Sequence, residues 1–290
     1  MARRLAGKEV ADQMTEHSRQ IAEQLAAQGV TPTLAIIRTG DDPGDISYER
    51  GALKRAEKTG VEVRQIHFDG SVSQEEFLDK LREINGDDTI DGVLMLRPLP
   101  KQLDEAYLCE QLAPSKDMDG ITSGSMAGVF MDTGRGYPPC TAEACMAILD
   151  YYGVDLKGKK VTVVGRSLVI GKPVAMMAMK RNATVTVLHS RTTEEDFTQA
   201  SRGADVVIAA VGRANMIGPD RLGEDQIILD VGINMDEEGH LCGDVDYAGA
   251  EEKAAMITPV PGGVGSVTTA VLMKHVLTAA EKRCSRKQAE

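Results

Sequence analysis

No tryptophan occurs in the 290 residues, and there are only 4 Phe and 6 Tyr. A core built without large rings must be aliphatic, drawn from Val, Ile, Leu, Met and Ala. Cysteine is also scarce. Cys109, Cys140, Cys145, Cys242 and Cys284 form no CxxC pair, and a chain of this size needs no disulfide staples. Free thiols in a reducing cytoplasm are the natural reading. No apolar run approaches the ~20 residues of a membrane span. The basic stretch Met1 to Gly7 leads into a polar helical pattern and does not read as a signal peptide. Positive charge is in deficit, with 33 Lys and Arg against 44 Asp and Glu and a net charge of −11. That argues against non-specific nucleic-acid binding, which needs clustered cations, and leaves room for a local basic pocket for a phosphate. The five His show no metal spacing, so no metal site is expected. No GxSxG nucleophile elbow, internal repeat or low-complexity tract is present.

What is there is an ordinary globular composition, 42% hydrophobic and 27% charged in 31.1 kDa. That size suits one large domain or two ordinary ones. Helical and strand signals alternate, the pattern of an α/β protein with parallel strands. Helices are expected over 8–28, 47–59, 74–85 and 101–112, with strands at 33–38, 61–68 and 92–96 between them. Asp42-Pro43-Gly44 reads as a turn, Gly60 as a helix C-cap, and Pro98-Leu99-Pro100 stops both strand and helix. A second unit begins near Pro138-Pro139. It opens on a helix from Thr141, read as its N-cap, to Tyr152. Strands follow at 159–165, 184–188, 206–211 and 227–231, a helix at 172–181 and a last helix at 266–280. This second pattern is that of a doubly wound nucleotide-binding fold.

The residues that carry chemistry lie mostly in that second unit. Gly165-Arg166-Ser167-Leu168-Val169-Ile170-Gly171 follows an apolar strand and opens a helix. Such a turn directs free backbone N–H groups and the helix dipole at an anion. An NAD-preferring site usually ends its second strand on a carboxylate that binds the ribose hydroxyls. Here the strand ends Leu188-His189-Ser190-Arg191-Thr192, with no carboxylate before Glu194. Ser190 and Arg191, with Arg166, suit a ribose phosphate, so NADP is expected over NAD. The acidic run Glu194-Glu195-Asp196 reads as a helix N-terminus in solvent, and Cys140 as a buried structural thiol. Thr258 to Gly265 (TPVPGGVG) is a rigid loop poor in side chains, which lets a ligand approach the backbone.

Taken in order, a Tyr on the second helix, DGVLMLRPLP, KDMDG, PPCT, VTVVGRSLVIGKP, ATVTVLHSRT, DVGIN, GDVDY and TPVPGGVGSVT resemble the methylenetetrahydrofolate dehydrogenase/methenyltetrahydrofolate cyclohydrolase family. The resemblance runs from about residue 30 to 275. It implies two three-layer α/β domains with a cleft between them, the second a Rossmann-like doubly wound parallel sheet. Residues 1–120 with 268–290 would form the folate-binding catalytic domain, and 121–267 the NAD(P)-binding domain. It implies a cytoplasmic homodimer acting on tetrahydrofolate derivatives, with no nucleic-acid or membrane partner. Residue by residue, Tyr48 matches the Tyr that stacks on the folate rings and Asp119 the Asp that bonds the pterin; both are the expected catalytic positions. Pro261, Gly262 and Gly263 match the loop lining the folate site. Gly165, Arg166 and Ser167 match the cofactor phosphate loop, Ser190 a ribose-phosphate contact, and Ile233 a nicotinamide-side contact.

The departures from the family pattern are as informative. The family places a catalytic Lys four residues after the Tyr and a Gln on the strand before Pro-Leu-Pro. Those positions hold Ala52 and Leu96 here, followed by Arg97. Lys54 stands six residues after Tyr48, about 240° round a helix from it. Ser125 stands where the family has Asn, and Ser266 where it has Pro. Hydride transfer needs orientation and no proton acceptor, whereas hydrolysis of the methenyl product needs an activated water and proton shuttling. The expectation is a methylenetetrahydrofolate dehydrogenase whose cyclohydrolase step is reduced or lost. The alternatives are a fully bifunctional enzyme with Lys54 or Arg97 as substitute, a non-catalytic folate-binding relative, and an unrelated two-domain dehydrogenase.

Overall fold

The computed structural model describes residues 2–236 and 238–289, with side chains to Arg286. In chain order the elements are β1 (Arg3–Arg4), α1 (Gly7–Ala27), β2 (Thr33–Thr39), α2 (Pro43–Thr59), β3 (Glu62–Phe68), α3 (Gln74–Gly86), β4 (Gly92–Met95), α4 (Glu105–Gln111), α5 (Ser123–Met131), α6 (Cys140–Tyr151), β5 (Lys160–Val164), α7 (Gly171–Lys180), β6 (Thr184–Leu188), α8 (Glu194–Arg202), β7 (Val206–Ala209), β8 (Ile227–Asp230), β9 (Asn234–Met235), β10 (Leu241–Cys242), α9 (Tyr247–Glu251), β11 (Met256–Ile257) and α10 (Thr268–Ala289). They form two compact units: Met1–Ala11 with Thr141–Thr268, and Asp12–Cys140 with Thr269–Glu290. The division differs from the expected one at two stretches and at Thr268, which falls with the second pattern. Residues 1–11 join the second pattern because β1 pairs in parallel with β11, a contact some 250 residues away in sequence. Residues 121–140 stay with the first, where the backbone of Gly120 packs against that of Tyr137 and Pro139.

In the unit of residues 12–140 and 269–290, the sheet runs β3-β2-β4, all parallel. The chain extends this ladder at 116–118, where Val93 donates to the Lys116 carbonyl and Met118 to that of Val93. Side chains alternate across the sheet. One face carries Ala35, Ile37, Val93 and Met95, packed with Phe77, Leu81 and Ile84 of α3 and Leu108 and Leu112 from α4 and its end. The other carries Ile36 and Arg38 of β2, with Gln65 and His67 of β3 at the same register. α2 covers that second face. Its Asp42 accepts from Gly44 and Asp45, and Pro43 is its first residue. The expected turn at 42–44 is therefore the helix start itself, because Pro needs no N–H partner there. Gly60 caps the other end at φ 75°, donating to the Ala56 carbonyl. α4 begins four residues later than expected, at Glu105 behind the N-cap Asp104, because residues 101–104 are taken up by the turn leaving Pro98-Leu99-Pro100. α5 has no counterpart among the expected helices; Thr122 caps it by accepting from Ser125.

In the other unit, the main sheet runs β1-β11-β8-β7-β5-β6, again parallel throughout. β5 and β7 are buried apolar runs at its centre, as strands covered on both faces must be. β6 lies at the edge and is largely exposed. α6 starts at Cys140, so Thr141 lies inside it and is not its cap. α8 begins at Glu194, with Thr193 as N-cap accepting from Asp196, so the acidic run does open a helix. Ser266 lies in a short 3₁₀ turn and donates its N–H to the Gly263 carbonyl.

Candidate active site

In the unit built on β2, β3 and β4, the helix register decides what α2 presents. The helix is continuous from Pro43 to Thr59. Tyr48 is half-buried, while Ala52 and Ala56 are buried at 0% and 1% exposure, one stripe at four-residue spacing. Lys54 is exposed. No local bulge brings its amine onto that stripe. Leu96 is buried just past β4 and still donates its N–H to the Ile37 carbonyl. By alternation it points to the sheet face that α2 covers, the face opposite Met95. Ala52 and Leu96 are thus on the same side of the sheet, and both are apolar. Arg97, half-buried, has Nη1 3.5 Å from Glu105 Oε1, and Glu105 Oε2 accepts the Leu99 N–H at 2.7 Å.

The first turn of α2 is anchored by a group that sequence reasoning missed. Glu49, next to Tyr48, is 4% exposed. Its Oε2 accepts from Arg38 Nε at 2.9 Å, and its Oε1 from Gln65 Nε2 at 3.0 Å and His67 Nε2 at 2.7 Å. Arg38 also donates to the Gly40 carbonyl and to Asp41. Desolvation raises the Glu49 carboxyl, but the donors of His67, Gln65 and Arg38 together outweigh it, and it sits below the usual range. The signal in the sequence was an acidic residue at a core-facing helical position, where an unpaired charge is not tolerated.

Each polar residue of KDMDG has a distinct partner. Lys116 Nζ donates to the Ile84 and Asp87 carbonyls, 2.7 Å each. Asp117, fully buried, accepts from the N–H groups of Ile121 and Thr122 at 3.0 and 2.8 Å. Asp119 Oδ1 accepts the Cys140 N–H at 2.9 Å. Burial pushes the Asp119 carboxyl upward. Cys140 is itself buried, as its sequence context implied. Ser125 is fully buried; its Oγ accepts from the Thr122 hydroxyl and abuts Gly136.

In the Rossmann-like unit, Gly165 has φ 125°, and a Cβ there would stand 2.2 Å from the Ala210 carbonyl oxygen. Only glycine fits. Gly171 is equally constrained, with a Cβ placed 2.3 Å from the Gly165 oxygen. The loop between them folds tightly onto the start of α7, where the Ser167 hydroxyl accepts the Ile170 N–H at 3.2 Å and no side chain caps the helix. Arg166 and Ser167 are exposed. β5 and β6 end side by side, since Gly165 donates to the Leu188 carbonyl. The turn after β6 is held by His189, whose Nδ1 accepts the Arg191 N–H at 3.2 Å, leaving the Ser190 and Arg191 side chains exposed. A tight glycine cradle, a helix start free of side-chain caps and exposed cations on adjacent turns fit a dinucleotide phosphate.

Two buried carboxylates organise the remaining loops of this unit. Asp230, at the end of β8, accepts from the N–H groups of Gly232 and Asp244 at 3.0 Å each and of Val245 at 2.9 Å. Its own N–H donates to Thr258 Oγ1 at 2.7 Å. Asp244 accepts from Val211, Gly212 and Arg213 N–H and from Asn234 Nδ2, all within 3.1 Å. DVGIN, GDVDY and TPVPGGVG are therefore one hydrogen-bonded assembly. Burial first, then the Asp244 charge, pushes Asp230 up to about 6 against its three backbone donors. Ile233 is 69% exposed, and its Cδ1 would lie 3.6 Å from a Cβ on Gly265. Pro261 is exposed; Gly262 and Gly263 are held beneath by the Gly7 N–H, which donates to the Gly262 carbonyl at 2.8 Å. The missed carboxylates had a legible signal, an Asp closing the apolar run IIL and another between Gly and Val.

No helix among the described residues is long and apolar enough to cross a membrane. Residues 5–119 match the tetrahydrofolate dehydrogenase/cyclohydrolase catalytic domain, and 139–284 the NAD(P)-binding domain of the same family. Bifunctional protein FolD of Alkaliphilus oremlandii is 46% identical over 279 residues, 96% of this chain and 97% of that protein. That of Clostridioides difficile is 46% identical over 275 residues, 95% of each. The crystal structure of the bifunctional enzyme FolD, methylenetetrahydrofolate dehydrogenase/cyclohydrolase, from Campylobacter jejuni superposes with TM-score 0.94 at 33% identity, covering 98% of this chain and 100% of that one. The Trypanosoma brucei enzyme, complexed with NADP cofactor and inhibitor, gives 0.91 at 30% identity over 97% and 98%. With the glycine cradle, the KDMDG turn and both domain matches in register, the chain belongs to the tetrahydrofolate dehydrogenase/cyclohydrolase family of enzymes.

Proposed function

We propose that this protein oxidises methylene-tetrahydrofolate to methenyl-tetrahydrofolate with NADP, and that its hydrolysis of the methenyl product is reduced or lost. One observation carries the second half. The positions of the family's Lys and Gln are Ala52 and Leu96, both buried, on the same side of one sheet. A methyl and an isobutyl group neither donate nor accept a proton, so general acid–base help of roughly 100- to 10,000-fold is removed. The two candidates for substitution are poorly suited. Lys54 is exposed off the Tyr48–Ala52 stripe. Arg97 is near Glu105 and holds its proton with a pKa above ~12.

The dehydrogenase half keeps what orientation needs. Nicotinamide supplies a hydride acceptor when bound. Gly165, Gly171 and the start of α7 would hold the pyrophosphate, Arg166, Ser190 and Arg191 the ribose phosphate, and Ile233 would lie on the nicotinamide side. Tyr48 is assigned to stacking on the folate rings, Asp119 to the pterin, and Pro261, Gly262 and Gly263 to the folate site's lining. The raised pKa of Asp119 suits a carboxyl that shares hydrogen bonds with a neutral heterocycle.

The test is a time course with methylene-tetrahydrofolate, following reduced cofactor and methenyl absorbance together. Methenyl-tetrahydrofolate is expected to accumulate and decay at the buffer rate. Ala52→Lys with Leu96→Gln should restore some hydrolysis, and either change alone less, since a buried unpaired ammonium is disfavoured. Hydrolysis by the unaltered protein well above the buffer rate would sink the reading. For the cofactor, Arg166→Ala should weaken NADP by about 10- to 100-fold and NAD little, the worth of one charge-assisted phosphate contact of about 1.5–3 kcal/mol. Equal loss for both would remove the phosphate assignment.

A further inference from the structure

The β4 end of the three-stranded sheet has a second feature, at the edge opposite Leu96. A cavity of about 670 Å³ opens there, walled by residues before β4, the turns at 114–116 and 134–137, and α10. The four residues of β4 separate it from the Leu96 edge by about 13 Å. Its volume is that of a small-molecule site. Its charge is the reverse of the chain's: Lys116, Arg135, Lys282, Arg283 and Arg286 line it, against Asp88 and Asp91, in a protein of net charge −11.

Two of these cations already have partners. Arg283 grips Asp91, with Nε 2.7 Å from Oδ1 and Nη2 2.9 Å from Oδ2, and Lys116 is spent on two carbonyls. Among the described residues, Arg135, Lys282 and Arg286 form no ion pair. Lys282 instead sets its ammonium 5.0 Å from the ring centroid of Tyr137, and Arg286 donates to the Lys282 carbonyl. Three cations without a carboxylate partner line one concave space, and like charges gathered there are relieved by an anion. Two of them are guanidinium forks, which suit phosphate or carboxylate.

We propose that this cavity binds a small anion bearing at least two phosphate or carboxylate groups, and that its occupancy is felt at Asp119. The coupling is short and packed. Tyr137 forms a wall of the cavity and is 6% exposed. Its ring lies 5.0 Å from that of His275, whose Nδ1 is 2.8 Å from the Met118 carbonyl oxygen. The Tyr137 carbonyl oxygen would stand 2.7 Å from a Cβ on Gly120. Three residues on, the Cys140 N–H holds Asp119. A ligand that draws Lys282 off the Tyr137 ring therefore acts on the residues flanking Asp119. This second half rests on the folate role proposed for Asp119; the site itself does not.

The experiment titrates the full chain calorimetrically with inorganic pyrophosphate and, separately, with citrate. Saturating NADP fills the Gly165 loop, and potassium chloride holds ionic strength constant. One saturable site is expected, weakened at least about tenfold in Arg135→Ser/Arg286→Ser. A stronger response to pyrophosphate or to citrate identifies a phosphate or a carboxylate ligand. Pyrophosphate or citrate should change the KM for methylene-tetrahydrofolate in the unaltered protein and not in the variant, whose kinetics without anion stay normal. No saturable binding, or equal binding in the variant, overturns the site. Binding with an unchanged KM overturns the coupling. Normal folate kinetics in Asp119→Ala would remove the reading of Asp119 alone and leave the calorimetric result standing.

Discussion

Glu49 and Asp230 are buried to the same 4% exposure, one in each unit, and titrate in opposite directions. Glu49 faces Arg38 and His67 and is driven down. Asp230 has backbone N–H partners only, with the Asp244 carboxylate nearby, and is driven up to about 6. Burial raises both: at Glu49 the donors of His67, Gln65 and Arg38 outweigh it, whereas at Asp230 it prevails over three backbone donors, with the Asp244 charge adding to it. The side-chain partners of Glu49 come from β2 and β3, strands that α2 crosses. The partners of Asp230 come from loops that have no side-chain cation to offer, because their task is to bring three glycine-containing turns close together.

The largest test of that contrast is removal of each carboxylate. Asp230→Ala orphans three buried N–H groups, and at about 1–3 kcal/mol for each the loss should be at least about 3 kcal/mol. NADP affinity should fall with it, since DVGIN and GDVDY lose the carboxylate that joins them. Glu49→Ala leaves Arg38 with Asp41, which is exposed, so about 2–3 kcal/mol is expected, below the usual loss for a wholly broken buried pair. Denaturant midpoints measure both. A larger loss at Glu49 than at Asp230 would mean that the charge pair outweighs the backbone network.

The pH dependence should then be opposite in sign. Asp230 is raised on folding from 3.8 to about 6, so the stability it contributes is complete below pH 3.8 and disappears as pH rises through 6. Glu49 is lowered from 4.5, so its contribution is present above 4.5 and is lost as pH falls through the folded value. Stability measured from pH 4 to 7 should lose a falling component in Asp230→Asn, whereas Glu49→Gln should lose a component that is lost only on acidification. Parallel profiles for the two variants would refute the comparison. The smallest effect is expected at Lys54, exposed and off the Tyr48 stripe. Lys54→Ala should leave dehydrogenase kcat and KM within about twofold, as surface substitutions generally do to stability.

Local pattern made much of this legible. Thr33 to Arg38, Lys159 to Gly165 and Thr184 to Leu188 are apolar or alternating runs that match strands to within a residue or two. The helical period placed Tyr48 and Ala52 on one stripe and Lys54 off it, and α2 obeys that period without interruption. The short helix α5 was not legible. Gly124 and Gly128 weaken its propensity, and it depends on the Thr122 cap and on contact with the backbone at Arg135.

The sequence by itself determined the alternation of the main helices and strands, the glycine cradle at Gly165, the family resemblance and the apolar residues at positions 52 and 96. Each of these is a matter of residue type at a fixed local spacing. Only the tertiary structure decided that Arg3–Arg4 extends the nucleotide-domain sheet beside β11, that Glu49 takes its hydrogen-bond partners from β2 and β3, that Asp230 and Asp244 tie three distant motifs, and that five cations line one cavity. The physical reason is range. Helical and strand periods repeat within a few residues, while a buried charge takes its state from whatever folding brings within 3 Å of it, from anywhere in the chain.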